Sequence, residues 1–161
     1  MPDLTSLAVS VGALLKEKQH TIAVSESSCG GLISAALVAI PGASAFYLGG
    51  TVIYTHAGRQ GILNITDADM AGMRASTEQY ALLTARNVHA RLGSTWALAE
   101  TGASGPSGNR YGDDAGHACF AVVGPVQRSK TLETGDSIRE ANMWVFAKDA
   151  LAFLESCIKD S

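Results

Sequence analysis

Six consecutive residues, Glu26-Ser27-Ser28-Cys29-Gly30-Gly31, gather the nucleophile-type side chains of this 161-residue chain into one turn. They lie where an apolar run, Thr21 to Ser25, meets a second apolar run, Leu32 to Ala39. The first run reads as a strand and the second as a helix. A strand-to-helix turn sets hydroxyls and amide N–H groups at a helix N-terminus, where orphan donors and the helix dipole favour an anion. Ser27, Ser28 and Cys29 could each attack a carbonyl, but a hydroxyl needs a base within hydrogen-bond reach to do so. A serine before a helix is more often simply its cap. The acid Glu26 and the paired glycines strengthen the functional reading, because glycine lets a ligand approach the backbone.

Two further segments follow strand-like runs. Thr101-Gly102-Ala103-Ser104-Gly105-Pro106-Ser107-Gly108 could turn several N–H groups toward an anion as a nest. Its spacing fits neither a P-loop nor a dinucleotide-binding fingerprint. In Tyr54-Thr55-His56-Ala57-Gly58-Arg59, Tyr54 could donate a proton and Arg59 could grip a phosphate or carboxylate. His56, His117, Asp113 and Asp114 can be drawn as a metal set, but no ligand spacing supports it, so neither metal nor cofactor is expected. His20 and His89 read as surface residues.

These segments need a frame to bring them together. Leu4, Leu7, Ala8, Val11, Leu14 and Leu15 recur at helical spacing, which predicts a helix from Leu4 to Lys18. A strand is expected from Thr21 to Glu26. The helix from Leu32 to Ala39, apolar on nearly every side, should be buried, and Pro41-Gly42 should end it. Ala45 to Tyr54 reads as a strand whose Gly49-Gly50 marks a bulge or a close backbone approach. Thr55 to Ala75 reads as short helix and loop. A helix from Glu78 to Leu92 should stop at Gly93. Strands are expected at Trp96–Thr101, Gly116–Val123 and Arg128–Thr134, with a loop from Gly102 to Ala115. Ser137 and Glu140 form a capping-box pattern that should open the last helix. Alternating helices and strands predict a single three-layer α/β/α sandwich over residues 1–161, with a mixed, mostly parallel sheet. The later strands, joined by a short turn, should be antiparallel.

Composition narrows the possibilities further. Apolar residues make up 47% and charged residues 17%, as in a globular domain. A net charge of −3 without a basic block argues against nucleic acid as a partner. No apolar run is long enough to span a bilayer, and the Met-Pro-Asp start carries no leader pattern. Cys29, Cys119 and Cys157 are odd in number and widely spaced, which suits a reduced, cytoplasmic protein.

Taken in order, these segments resemble the CinA C-terminal domain family over nearly the whole chain. The anchors are Glu26-Ser27 with Gly30-Gly31, then Pro41-Gly42-Ala43-Ser44-Ala45-Phe46, Gly49-Gly50 and Tyr54. Thr101-Gly102 with Gly105-Pro106, Gly116, Gly135-Asp136 and Arg139 complete the set. Active members of that family are nicotinamide-nucleotide amidases. The resemblance implies that Ser27 is the nucleophile and Tyr54 its proton relay. It implies that Glu26, Ser28, Cys29, Gly30 and Gly31 form the substrate-binding turn, whose N–H groups would hold the oxyanion. Thr101, Gly102, Gly105 and Arg139 would bind the remainder of a nucleotide or phosphate ligand, and the protein would assemble with copies of itself. Four departures from the family pattern stand out, one of them Gly135-Asp136-Ser137 where the family has Gly-Asp-Arg. Ser28-Cys29 replaces Cys-Thr, Asp113-Asp114-Ala115-Gly116 replaces Lys-Pro-Val-Gly, and Arg59 stands where the family has a catalytic lysine. An arginine cannot deprotonate in a protein, so it binds but does not abstract. His56 is then the nearest replacement base. The alternative expectation is a catalytically impaired nucleotide-binding module of the same fold.

Overall fold

A computed structural model describes residues 3–161, and the Met1-Pro2 start lies outside them. Five strands form one sheet in the order β2-β1-β3-β4-β5. They are β1 (Ile22–Glu26), β2 (Tyr47–Val52), β3 (Trp96–Ala103), β4 (His117–Val123) and β5 (Arg128–Glu133). The β1/β2 and β1/β3 pairs are parallel; β3/β4 and β4/β5 are antiparallel. Only β4 therefore runs against the rest, which gives the mixed, mostly parallel sheet expected.

Helices α1 (Thr5–Glu17), α2 (Leu32–Val38) and α6 (Arg139–Lys159) pack on one face, and α5 (Glu78–Leu92) covers the other. The short helices α3 (His56–Leu63) and α4 (Asp67–Met70) bridge β2 to α5. Strand residues alternate between two unequal cores. Ile22, Val24, Trp96, Leu98, Phe120 and Val122 face α1, α2 and α6. Their neighbours Ala23, Ala97, Ala99 and Ala121 face α5. Large side chains fill one side, each contributing about 1.5–3 kcal/mol when fully buried. Alanines on the other let α5 lie close to the sheet.

Local sequence rules account for most boundaries. Thr77 caps α5 by accepting from the Tyr80 N–H, and Gly93 ends it at φ 62°. Gly49-Gly50 serves both purposes expected of it. The β1/β2 register shifts between Ile22↔Tyr47 and Ala23↔Gly49. A Cβ on Gly50 would meet the Tyr47 hydroxyl and, at 2.6 Å, the Ser34 Oγ of α2.

Four expectations need correction. The strand expected from Ala45 starts at Tyr47, because Ala43–Ala45 closes as a 3-10 turn. Strand β3 continues past Thr101 through Gly102 and Ala103, where the sequence suggested loop, because β4 supplies partners as far as Ala103↔His117. Helix α2 is half exposed: Ile33 and Leu37 are buried while Val38 faces out. The Ser137/Glu140 capping box does not form. Ile138 is the N-cap of α6 without a side-chain cap bond; its N–H donates instead to Asp136 Oδ1 at 2.9 Å.

Candidate functional site

The turn after β1 is organised by two buried carboxylates. Glu26, at 0% exposure, accepts from the Gly31, Ile33 and Ser34 N–H groups at 2.8–3.0 Å. It is the cap of α2, satisfying orphan donors and complementing the helix dipole. Glu100, at the middle of β3 and 2% exposed, accepts from the Ser27 and Cys29 N–H groups at 2.9 Å each, and from the Ser28 hydroxyl. Burial raises the Glu100 pKa, and the Ser28, Cys29 and Ser27 hydrogen bonds offset part of that rise. Gly30 and Leu32 donate to the carbonyls of Ser27 and Cys29. From Ser27 to Ser34, only the Ser28 N–H has no acceptor among the described residues.

This changes the roles expected of the turn. Glu26, Ser28 and Cys29 are structural: the first two are spent on hydrogen bonds inside the fold. The Cys29 thiol is buried against the Met143 carbonyl, and burial with Glu100 and Glu26 nearby pushes its pKa well up. The turn offers one free amide, not an array. Gly30 and Gly31 adopt φ 64° and 102°, conformations glycine takes without strain, and neither faces the cleft described next.

Ser27 is half buried and lines a cleft of about 500 Å3 together with Tyr54, His56, Arg59, Thr101 and Gly102. Asn109, Arg110 and Tyr111 face them, with Ser76 and Tyr80 also in the wall. Three strand ends bring these distant segments together. The Ser27 hydroxyl makes no hydrogen bond among the described residues, so it points to no partner but the cleft's contents. His56 Nε2 lies 2.9 Å from Asp67 Oδ1, and the Arg59 guanidinium contacts the same carboxylate. Those two bonds hold the Asp67 pKa below the usual carboxylate range. Arg59 Nε also donates to the Ile65 carbonyl at 3.3 Å. Arg59 thus locks the α3–α4 corner; it is not the free anion grip expected.

Arg139 and Gly105 belong to a brace behind Tyr54. Arg139 Nη1 donates to the Gly105 carbonyl at 2.6 Å, and Nη2 donates to the Tyr54 hydroxyl. Tyr54 itself is 59% exposed. Thr101 reaches the cleft, but its Oγ1 accepts from the Ser76 N–H at 3.3 Å. Gly102 is in a β ladder, where a Cβ would lie 2.9 Å from Ala118 Cα. The Thr101–Gly108 segment therefore forms no anion nest in its first half. Sequence reasoning missed Glu100, although a lone carboxylate inside the apolar run Trp96–Ala99 was itself a signal that the group must be paired. It also missed Asp67 and the Asn109–Tyr111 wall, which carry no motif.

Of the four residues that could be drawn as a metal set, His56 bonds Asp67 instead, while His117 lies 3.8 Å from Asp113. His117 Nε2 meets the Ser76 carbonyl at 2.9 Å and Nδ1 meets Glu133. Among the described residues no group of three or more His, Cys, Asp or Glu is placed to hold a metal. His20 is not a plain surface residue, since Trp96 Nε1 donates to its Nδ1 at 3.1 Å. No helix among the described residues is long and apolar enough to cross a membrane.

The same architecture occurs in solved proteins. A competence-damaged protein (CinA) superfamily protein from Klebsiella pneumoniae superposes with a TM-score of 0.92 at 23% identity, covering 99% of this chain and 100% of that one. The competence/damage inducible protein of Agrobacterium tumefaciens gives 0.88 at 26%, with 97% and 96% covered. In sequence, the CinA-like protein of Picosynechococcus is 32% identical over 160 residues, 98% of this chain and 38% of its own length. The CinA-like protein of Gloeobacter violaceus is 37% identical over 143 residues, 89% of this chain and 33% of its own. The chain thus spans about a third of the length of these relatives. The CinA C-terminal domain matches residues 4–158, from the first turn of α1 to the last of α6. With the family model matched over nearly its whole length, the chain belongs to the CinA C-terminal domain family.

Proposed function

We propose that the cleft hydrolyses a carboxamide by covalent catalysis, as a nicotinamide-nucleotide amidase does. The observation that carries this reading is the pairing of Ser27 with the amide beside it. Among the described residues the Ser27 hydroxyl has no hydrogen-bond partner, Ser27 lines the cleft, and the N–H of the buried Ser28 beside it is the one turn donor without an acceptor. A backbone N–H directly after a nucleophile is a recurrent oxyanion donor. Ser27 Oγ would attack the carboxamide carbon and form a tetrahedral oxyanion held by the Ser28 N–H. The C–N bond would break, the nitrogen would leave as ammonia once protonated, and water would then cleave the acyl ester and restore the hydroxyl. With nicotinamide mononucleotide the products are nicotinate mononucleotide and ammonia.

The proton needs an acceptor. Arg59 cannot supply one. His56 can, since Asp67 holds its Nε2 and leaves Nδ1 open, and a carboxylate that fixes an imidazole's tautomer and orientation is a general feature of such bases. Tyr54 would pass the proton between them. Ammonia release from nicotinamide mononucleotide by the purified chain, abolished in Ser27→Ala, tests the reading. Turnover untouched by Ser27→Ala sinks it.

A second reading is supported by Arg59 itself. Its bonds to Asp67 and Ile65 fix it where the family carries a basic lysine, which suits a protein that binds the nucleotide without turnover. Under that reading the natural chain releases no ammonia and Arg59→Lys restores release.

A further inference from the structure

Arg59 and the start of the Thr101–Gly108 loop, both expected to hold an anion, are committed within the fold. Arg59 is held by Asp67, His56 shares that carboxylate, and the Thr101–Ala103 backbone is committed to the sheet. Among the cations that line the cleft, Arg110 alone has no carboxylate within ion-pair distance among the described residues. Among the described residues its side chain makes one hydrogen bond, from Nη2 to the Tyr111 hydroxyl at 3.2 Å, and its guanidinium lies 5.3 Å from that ring's centre.

The residues beside Arg110 are tied to one another by hydrogen bonds. Arg74 forks onto both oxygens of Asp113 at 2.6 and 3.0 Å and lies 5.2 Å from the Tyr111 ring centre. Asn109 Nδ2 donates to Asp113 Oδ2 at 2.7 Å, while Asn109 Oδ1 accepts from the Tyr111 and Asp113 N–H groups. Asp113 is thereby neutralised by Arg74, so it does not draw on Arg110. An uncompensated guanidinium carried beside the Arg74–Asp113–Asn109 network, lining the same cleft of about 500 Å3 as Ser27, suits an oxyanion.

We infer that Arg110 grips the phosphate of a phosphorylated small molecule whose other end lies at Ser27. This rests on the carboxamide reading for the Ser27 end only; the phosphate contact stands without turnover. It makes Arg110 a specificity-determining residue, separating nucleotide from nucleoside.

Calorimetry on the full chain tests it, using nicotinamide mononucleotide, nicotinamide riboside and inorganic phosphate against the natural protein, Arg110→Gln and Arg110→Lys. Loss of a charge-assisted contact should weaken the mononucleotide about ten- to a hundredfold in Arg110→Gln. The riboside, lacking phosphate, should bind both proteins equally, and Arg110→Lys should recover part of the loss. Inorganic phosphate at millimolar concentration should raise the Tm of the natural protein and leave that of Arg110→Gln unmoved. Equal mononucleotide affinity in natural and Arg110→Gln protein overturns the inference. So does an equal loss for the riboside, which marks a structural role, or no binding of mononucleotide or phosphate by the natural protein. Ammonia release is scored separately. Arg110-dependent binding without ammonia refutes the amidase reading and leaves this one intact.

Discussion

At Ser27 the decisive fact is what surrounding residues do not take. Glu100 consumes the Ser27 and Cys29 amides, and Glu26 those of Gly31, Ile33 and Ser34. Among the described residues, the Ser27 hydroxyl and the N–H of the buried Ser28 are left without a partner. Ser27→Ala should therefore abolish ammonia release with little change in mononucleotide affinity, since it deletes the attacking atom and no contact within the fold. His56→Ala should slow release by about 10²–10⁴, the usual worth of a positioned base. Added imidazole should restore part of that rate if the ring acts as base, and none if His56 only props Asp67. That Ser27, Tyr54 and Arg59 share one cleft was legible in the sequence, because each follows the end of a strand. The fate of Arg59 was not, because its partner Asp67 lies in a segment without periodicity, and only the α3–α4 corner brings the two together.

Among the elements, the turn between β1 and α2 depends on two carboxylates that look alike and differ in what they meet. Every partner of Glu26 is a backbone N–H, which cannot reverse. One partner of Glu100 is the Ser28 hydroxyl, which can. Glu26→Gln would face the Ser34 N–H with a second donor. It should destabilise by about 1–3 kcal/mol, the cost of an unsatisfied buried group. Glu100→Gln should cost less, because Ser28 can turn and accept. Urea unfolding of the two variants compares them, and equal losses would discard the argument. A second link joins β4, β5 and the cleft wall. Burial opposes a charge on His117, yet its bonds to Glu133 and the Ser76 carbonyl, with Glu133 and Asp113 close by, leave its pKa raised. A raised histidine pKa means the folded state binds the proton more tightly. Its contribution to stability is complete below the ordinary value near 6.5 and is lost as pH climbs through the folded pKa. Stability measured across that range should fall less steeply in His117→Gln than in the natural protein. Parallel slopes would refute it.

For the whole molecule, the order of elements was readable because periodicity reports each one separately: α5 is found at Glu78–Leu92, where Ala81, Ala85 and Val88 mark its buried face. The inequality of the two cores was harder to see. In the run Trp96-Ala97-Leu98-Ala99, alternation of large with small reads as one apolar strand, and both faces are in fact buried. Only packing shows that Leu98 belongs to the thick core under α1, α2 and α6, and Ala97 to the thin one under α5. The division matters for the site, because α5 begins beside Ser76 and carries Tyr80, both in the cleft wall. Adjacent substitutions on opposite faces should separate stability from function. Leu98→Ala leaves a cavity and should cost about 2–5 kcal/mol while the remote face and its helices keep their places. Ala97→Leu forces added volume between β3 and α5 and should cost about 1–3 kcal/mol. Because the sheet is held by strands on both sides of β3, the yielding partner is α5, and Ser76 and Tyr80 move with it. Under conditions where both variants remain folded, Leu98→Ala should bind nicotinamide mononucleotide as the natural protein does. Ala97→Leu should bind it more weakly, despite the smaller loss in urea midpoint. If affinity instead tracks stability across the pair, the thin core is not what sets the cleft wall.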